Sequence, residues 1–278
     1  MAFMVLFPAS GAFVSLSQAT LMDLDPDGRE RNMARWSVAG GLGAVGGPLA
    51  IAALAGWGGG WRWLFAAFAL ASLVLIVAVT RAWPAAKVDA RRPAVGAAFR
   101  ALLRPGVARW LAALEFADLM LDVLLGFLAL YFVDEVGASL KAGGLAVAVW
   151  TGAGLAGGFA MIGLLRRFSG LAYLRASVPV ALLLYVLLLT VPGVPAKLMI
   201  VCLLGLVTAG WYSIPKARLY AALTGQSGAV ITLGSVAGAF GATAPLVVGL
   251  VAERQGLGAA MWLLLAGPVG LLLLLPRR

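Results

Sequence analysis

Residues 110–133 read WLAALEFADLMLDVLLGFLALYFV, between Arg109 and Asp134. A bilayer core about 30 Å thick takes roughly 20 helical residues, so the stretch is long enough to cross it. Lipid offers no hydrogen-bond partners to backbone groups, which leaves a helix or a closed barrel. A barrel is built from alternating strands of about ten residues, and this unbroken run does not resemble one. Working outward, apolar runs of similar length fall near 2–22, 34–56, 61–82, 141–165, 173–192, 198–222, 228–252 and 257–276. With 110–133 they make nine expected spans, and the fold class is an all-α polytopic membrane bundle.

Composition agrees and closes other routes. Of the 278 residues, 63% are hydrophobic and 12% charged, with a mean hydropathy of +1.01, far outside the range of soluble domains. The formal charge of +10 is carried by Lys and Arg placed between apolar runs rather than in a stripe that could follow phosphates, so nucleic acid is not an expected partner. There is no histidine, and Cys202 is the single cysteine. Neither a His/Cys metal site nor Ser-His or Cys-His catalysis can be built, and nothing calls for a cofactor. No Lys or Arg precedes Arg29, so the first apolar run lacks the charged start of a secretory signal and reads as a retained span.

The basic residues orient the bundle. Seventeen of the 21 fall in connections on one face, at 29–35, 81–109, 166–175, 216–218 and 277–278; Arg62, Lys141, Lys197 and Arg254 fall on the other. By the positive-inside rule the 83–108 connection and the C-terminus are cytoplasmic and Met1 is outside, with Trp57, Trp61 and Trp63 at the outer interface. Arginine outnumbers lysine and Ala and Gly abound, as in proteins of high-GC bacteria, so a bacterial inner membrane is the expected location.

An internal repeat organises the chain. Ser15–Leu21 (SLSQATL) matches Ser213–Leu219 (SIPKARL) at an offset of 198, and Ser37-Val38-Ala39-Gly40, with Gly43 and Ala44, matches Ser235-Val236-Ala237-Gly238, Gly241 and Ala242 at the same offset. Parallel repeats of this kind build many secondary transporters, with the substrate site between the halves. If spans one to three repeat spans seven to nine, spans four to six need counterparts before Met1. The expectation is a partial first bundle over 1–82, a connecting loop over 83–108 and a six-helix bundle over 109–278, nine helices of an original twelve.

With that architecture the chain resembles the major facilitator superfamily over essentially its whole length, as helices four to twelve. Gly43-Ala44-Val45-Gly46-Gly47-Pro48 looks like the G-x-x-x-G-P core of the fifth-helix motif of the family's antiporters, in which Gly43, Gly47 and Pro48 shape helix packing. The chain departs from that motif at Ala34, Ile51 and Ala52. The resemblance implies alternating access of two helix bundles, with a small molecule and protons as partners in a lipid bilayer.

The chemistry falls on few side chains. At 100° per residue, Glu115, Asp118 and Asp122 share about 60° of one helix face, and a rise of 1.5 Å per residue puts them about 8, 12 and 18 Å from Trp110. Ionised acids at such depth are costly, a property that suits a proton-carrying site; lining a watery crevice or pairing with a neighbouring Arg is the plainer role. Trp211 and Tyr212 precede Pro215 in the seventh span, an aromatic wall beside a break, and Trp150 lies in the fifth; a substrate cavity and ordinary packing both accommodate them. Ser15 and Gln18 present polar groups from the first span toward a cavity or a neighbouring helix. Lys216 and Arg218 are read as snorkelling to headgroups. The run Asp23–Arg31 lacks EF-hand spacing and is read as a solvated turn.

Two classes compete with proton-coupled efflux. A truncated, non-transporting gene product follows if Met1 is the true start. An intramembrane enzyme needs two facing carboxylates from different elements, whereas these acids share one helix, so catalysis is not expected. Nothing in the sequence fixes the substrate or an oligomeric state.

Overall fold

The structure is a computed structural model that describes residues 2–56, 60–82 and 95–276. Met1, Trp57, Arg277, Arg278 and the 83–94 part of the connecting loop lie outside the described residues. The described chain is helical: α1 (Ala2–Leu24), α2 (Arg29–Gly56), α3 (Trp61–Ala82), the short α4 (Val95–Leu102) and α5 (Pro105–Asp118) come first. A π-helical segment, Leu119–Val123, joins α5 to α6 (Leu124–Leu130), and a second, Tyr131–Glu135, ends that span. Then follow α7 (Leu140–Leu164), α8 (Gly170–Thr190), α9 (Val194–Thr208), α10 (Ser213–Ala222), α11 (Ser227–Gly241), α12 (Ala244–Gln255), α13 (Leu257–Leu263) and α14 (Ala266–Leu274).

Among the described residues eight helices or helix pairs are long and apolar enough to cross a membrane: Arg29–Leu54, Arg62–Arg81, Pro105–Glu135, Leu140–Leu164, Gly170–Thr190, Val194–Ala222, Ser227–Gln255 and Leu257–Leu274. They coincide with eight of the nine expected runs. The remaining run, 2–22, is helical as α1. Several of these spans start or end beside a proline, a glycine or a capping serine. The side chains of Ser139 and Ser169 accept from the N–H groups of Ala142 and Ala172 and so satisfy donors that a helix start leaves free.

The chain divides into two compact units, Met1–Ala39 with Pro93–Arg278, and Gly40–Arg92. The smaller holds the rest of α2, which continues through Pro48, and α3, whose Leu70, Leu73 and Val74 are exposed apolar side chains of the kind that face lipid. A Cβ at Gly43 or Gly47 would meet no atom of this unit within 4 Å.

The larger unit has a dense apolar core, with Trp211, Tyr185, Phe132 and Leu124 fully buried. Within it α7 packs closely on α9, and glycine makes that approach possible. A Cβ at Gly157 would come within 2.7 Å of the Leu206 carbonyl oxygen, and one at Gly205 within 2.7 Å of the Trp150 carbonyl oxygen. Small residues serve helix association in lipid in this way. α5 is the hub, packed against α14, α10 and α11.

Candidate functional site

The spans that pack on α5 through α10, α11 and α14 are interrupted. The backbone turns out of helix at 209–212 between α9 and α10, at 242–243 between α11 and α12, and at 264–265 between α13 and α14. The first break has a cause in the sequence: Pro215 has no N–H for the Trp211 carbonyl and its ring clashes with the preceding turn. In lipid the carbonyls freed by such a break need donors, and tyrosines supply them. The Tyr173 hydroxyl donates to the Val207 carbonyl at 2.7 Å, beside the first break; beside the third, the Met261 carbonyl keeps the Leu264 N–H at 3.2 Å and accepts the Tyr185 hydroxyl at 2.7 Å as well.

Around the α5 hub the three acids of the opening stretch meet one cavity of about 360 Å³, lined by Glu115, Asp118 and Asp122 on one side and by Gly238, Gly241 and Pro245 of the interrupted α11–α12 span on the other. Glu115 and Asp118 are half-buried and Asp122 is exposed. Asp122 sits inside the π-helical segment, where the wider turn resets its angle relative to Asp118. Gly241 leaves room for the Glu115 carboxylate, which a Cβ at that position would strike.

Lys216 of α10 completes the cluster. Its amine is within electrostatic reach of Glu115 and Asp118 and lies 6.0 Å from the centroid of the Tyr212 ring. Among the described residues no carboxylate is in ion-pair contact with it. The snorkelling expected of Lys216 is therefore not its position here: the side chain turns toward the acids. Sequence reading missed this, because a lysine two residues from Arg218 looks like part of a basic helix end.

Tyr212 links the acids to the first span. The Gln18 amide donates to the Tyr212 hydroxyl at 3.0 Å, the Tyr220 hydroxyl donates to the Gln18 carbonyl oxygen at 3.4 Å, and Trp36 of α2 leans on Tyr212 with ring centroids 6.2 Å apart. Gln18 is 3% exposed, so this polar side chain is fully committed to the cluster. Ser15, three residues earlier on α1, is half-buried. The other two aromatic candidates are placed elsewhere. Trp211 is buried with its indole N–H donating to Ser177 at 3.1 Å, and Trp150 is buried in α7.

A second group of charges joins the 23–31 turn to α8 and α10. Glu30 Oε1 pairs with Arg218 Nε at 2.7 Å, and Glu30 Oε2 accepts the Gly170 N–H at 2.9 Å, at the first turn of α8. Arg29, 9% exposed, donates to the Met22 carbonyl and to Thr224. Asp25 accepts from the Gly28 N–H and the Asn32 amide, which hold its carboxyl below the usual carboxylate range, the Asn32 bond most strongly. The turn read as merely solvated is thus anchored to the bundle on both sides of a cavity of about 470 Å³.

A bundle of membrane-length helices with interrupted spans around a cavity lined by acids is the build of a membrane transporter. Residues 1–245 match the family model for the Major Facilitator Superfamily, and the chain belongs to that superfamily, whose members are transporters. No curated protein and no solved structure matches the chain.

Proposed function

We propose that the chain is a proton-coupled secondary transporter that exports a lipophilic or amphipathic small molecule by alternating access. The observation that carries the reading is the placement of the Lys216 amine within electrostatic reach of Glu115 and Asp118, two of the acids that line the cavity, without a fixed ion pair. Acids that carry protons can release the lysine, and acids that have lost them attract it; the position of α10 then follows proton occupancy. Asp118 and Asp122 are the proton carriers in this reading, with Glu115 as a third acid. Tyr212 and Gln18 border the substrate path. Ser15, Trp211 and Trp150 support it from within the bundle, and Gly43, Gly47 and Pro48 shape α2 in the smaller unit. The distribution of Lys and Arg supports a cytoplasmic C-terminus and an outer Met1 side in a bacterial inner membrane.

The test uses proteoliposomes of the full chain, an imposed pH gradient and the lipophilic cation ethidium as probe. The wild type is expected to accumulate ethidium against its gradient. Asp118→Asn and Asp122→Asn are expected to lose that accumulation while still letting the dye run downhill. Gradient-driven accumulation at the wild-type rate in both variants defeats the proposal.

A further inference from the structure

At the end of the bundle opposite the acidic turn lies a cavity of about 420 Å³ whose lining includes Tyr131, Glu135, Lys197 and Trp262. Four spans stop there: Pro105–Glu135 and Gly170–Thr190 end at this level, and Val194–Ala222 and Leu257–Leu274 begin at it. The cavity is therefore at the depth of lipid headgroups, where an apolar span meets water.

Lys197 is the unusual member. It is 5% exposed, and its amine donates to the Tyr131 hydroxyl at 2.7 Å and to the Leu188 carbonyl. That carbonyl lost its helical partner because position 192 is proline, but the Tyr131 hydroxyl already donates to it at 3.0 Å. A lysine is not needed to satisfy it. Both acceptors of Lys197 are neutral, and the end of α8 contributes only about half a unit of negative charge. No carboxylate is in ion-pair contact with the amine among the described residues. Glu135, at the exposed side of the cavity, has its Oε1 occupied by the Gly258 N–H at 2.7 Å. An ammonium has three donors, so one donor and most of a positive charge remain in the cavity wall. The α8 end and the Tyr131 ring, whose centroid is 5.1 Å from the amine, compensate the charge only in part; burying such a cation is costly, and an anionic guest lowers that cost.

We propose that this cavity is an oxyanion site, in which Lys197 receives a phosphate oxygen, from a phospholipid headgroup or from free phosphate at the membrane surface. Either occupant pins the ends of α8 and α9 together at this face. Trp262, half-exposed at the rim, suits the interface between headgroup and acyl chain.

The experiment takes the full chain in detergent, stripped of lipid, and titrates it with phosphatidylglycerol, followed by native mass spectrometry. In parallel it is titrated with inorganic phosphate, followed by phosphorus NMR line broadening. Lys197→Met is expected to weaken binding about tenfold or more, the worth of one charge-assisted hydrogen bond, and Lys197→Arg to retain it. Glu135→Gln keeps the acceptor for Gly258 but removes the repulsion at the mouth, so it is expected to tighten phosphate binding. Saturation by the lipid alone assigns the headgroup, and saturation by phosphate assigns the free anion. A wild type that binds neither, or a folded Lys197→Met that binds as the wild type does, overturns the proposal. Should Lys197→Met not fold, the wild-type titrations and Glu135→Gln still decide it.

Discussion

Glu30 offers the sharpest test of how this molecule moves. Its carboxylate bridges the 23–31 turn to two other helices, with Arg218 at 2.7 Å and the Gly170 N–H at 2.9 Å. In the alternating-access mechanism proposed above, opening of this face has to break both contacts. The ion pair is partly solvated, with side chains 37% and 25% exposed, so we count it at about 0.5 kcal/mol. The hydrogen bond to a backbone N–H in the first turn of α8 is charge-assisted and contributes about 1.5 kcal/mol. Loss of both in Glu30→Ala therefore favours the open state by about 2 kcal/mol, or about 30-fold in population.

Ala217 reads that change. It is 1% exposed and lies on the wall of the cavity beside Glu30 and Arg218. In a Cys202→Ser background, a cysteine at Ala217 is expected to react with a membrane-impermeant thiol reagent about 30-fold faster when Glu30→Ala is added. Arg218→Ala alone is expected to give a smaller rise, of about twofold, and the two together no more than Glu30→Ala alone, since the ion pair can be lost once. Equal labelling rates in all four proteins, with melting temperatures unchanged, refute the latch.

Three further outcomes are expected. Gly205→Ala places a methyl against the Trp150 carbonyl oxygen and the Ala153 Cβ and is expected to destabilise the bundle by about 1–3 kcal/mol. Gly126→Ala, with open space around the new methyl, is expected to be neutral or to stabilise by up to about 1 kcal/mol; denaturant titration in detergent compares them, and equal effects dismiss the α7–α9 contact as the tight one. Lys216→Gln is expected to shift the pH dependence of ethidium accumulation relative to the wild type, whereas a snorkelling lysine leaves the pH profile where it is. Asp25 has a folded-state pKa lowered below its ordinary value by Asn32 and Gly28, so its contribution to stability is present above the unfolded carboxylate value of about 3.9 and is lost as pH falls through the lower folded value. Melting temperatures from about pH 5 to about pH 3 are expected to fall less steeply in Asp25→Asn, and identical slopes contradict that sign.

The spans were legible because their signal is long and redundant: any shift of two or three residues leaves a run apolar. The acids were legible as a set because helical spacing alone puts 115, 118 and 122 on one side. What occupies the opposite wall was not, since Gly238, Gly241 and Pro245 reach it through a backbone break at 242–243 that has no distinct pattern in a Gly- and Ala-rich segment. Pro215 did announce the break before it. The π-helical turns at 119–123 and 131–135 left no mark, because an extra residue in a turn changes the path of the chain without changing its composition. Lys216 and Lys197 were misleading for one reason: basic residues near helix ends serve topology, and counting them for orientation hides the two that turn inward. The tyrosines could have been suspected. A phenol inside an apolar run needs an acceptor, and Tyr173 and Tyr131 take the carbonyls of Val207 and Leu188, released by a break and by Pro192, while Tyr185 takes the Met261 carbonyl beside a break.

These features fall into a pattern that bears on mechanism. α7 and α8 run without interruption, and α7 is locked to α9 through Gly157 and Gly205, where no side chain can intrude. The spans of α10, α11 and α14, which pack on α5, are broken, at levels where a cavity opens or a tyrosine hydroxyl donates to the backbone. In a lipid solvent such breaks persist only where protein or water satisfies them, so their concentration around the acids and Lys216 marks the side of the bundle that can change shape at low cost. A span that is already interrupted can pivot by changing a few dihedrals, whereas a continuous helix packed at glycine distance cannot. In the mechanism proposed above, proton occupancy of the α5 acids acts on Lys216 of α10, and α10 is joined to the rest of its span by 209–212. The same helix carries Arg218, the partner of Glu30, two residues further on. On that proposal, one short helix ties the charge state of the membrane cavity to the Glu30 contact at its end.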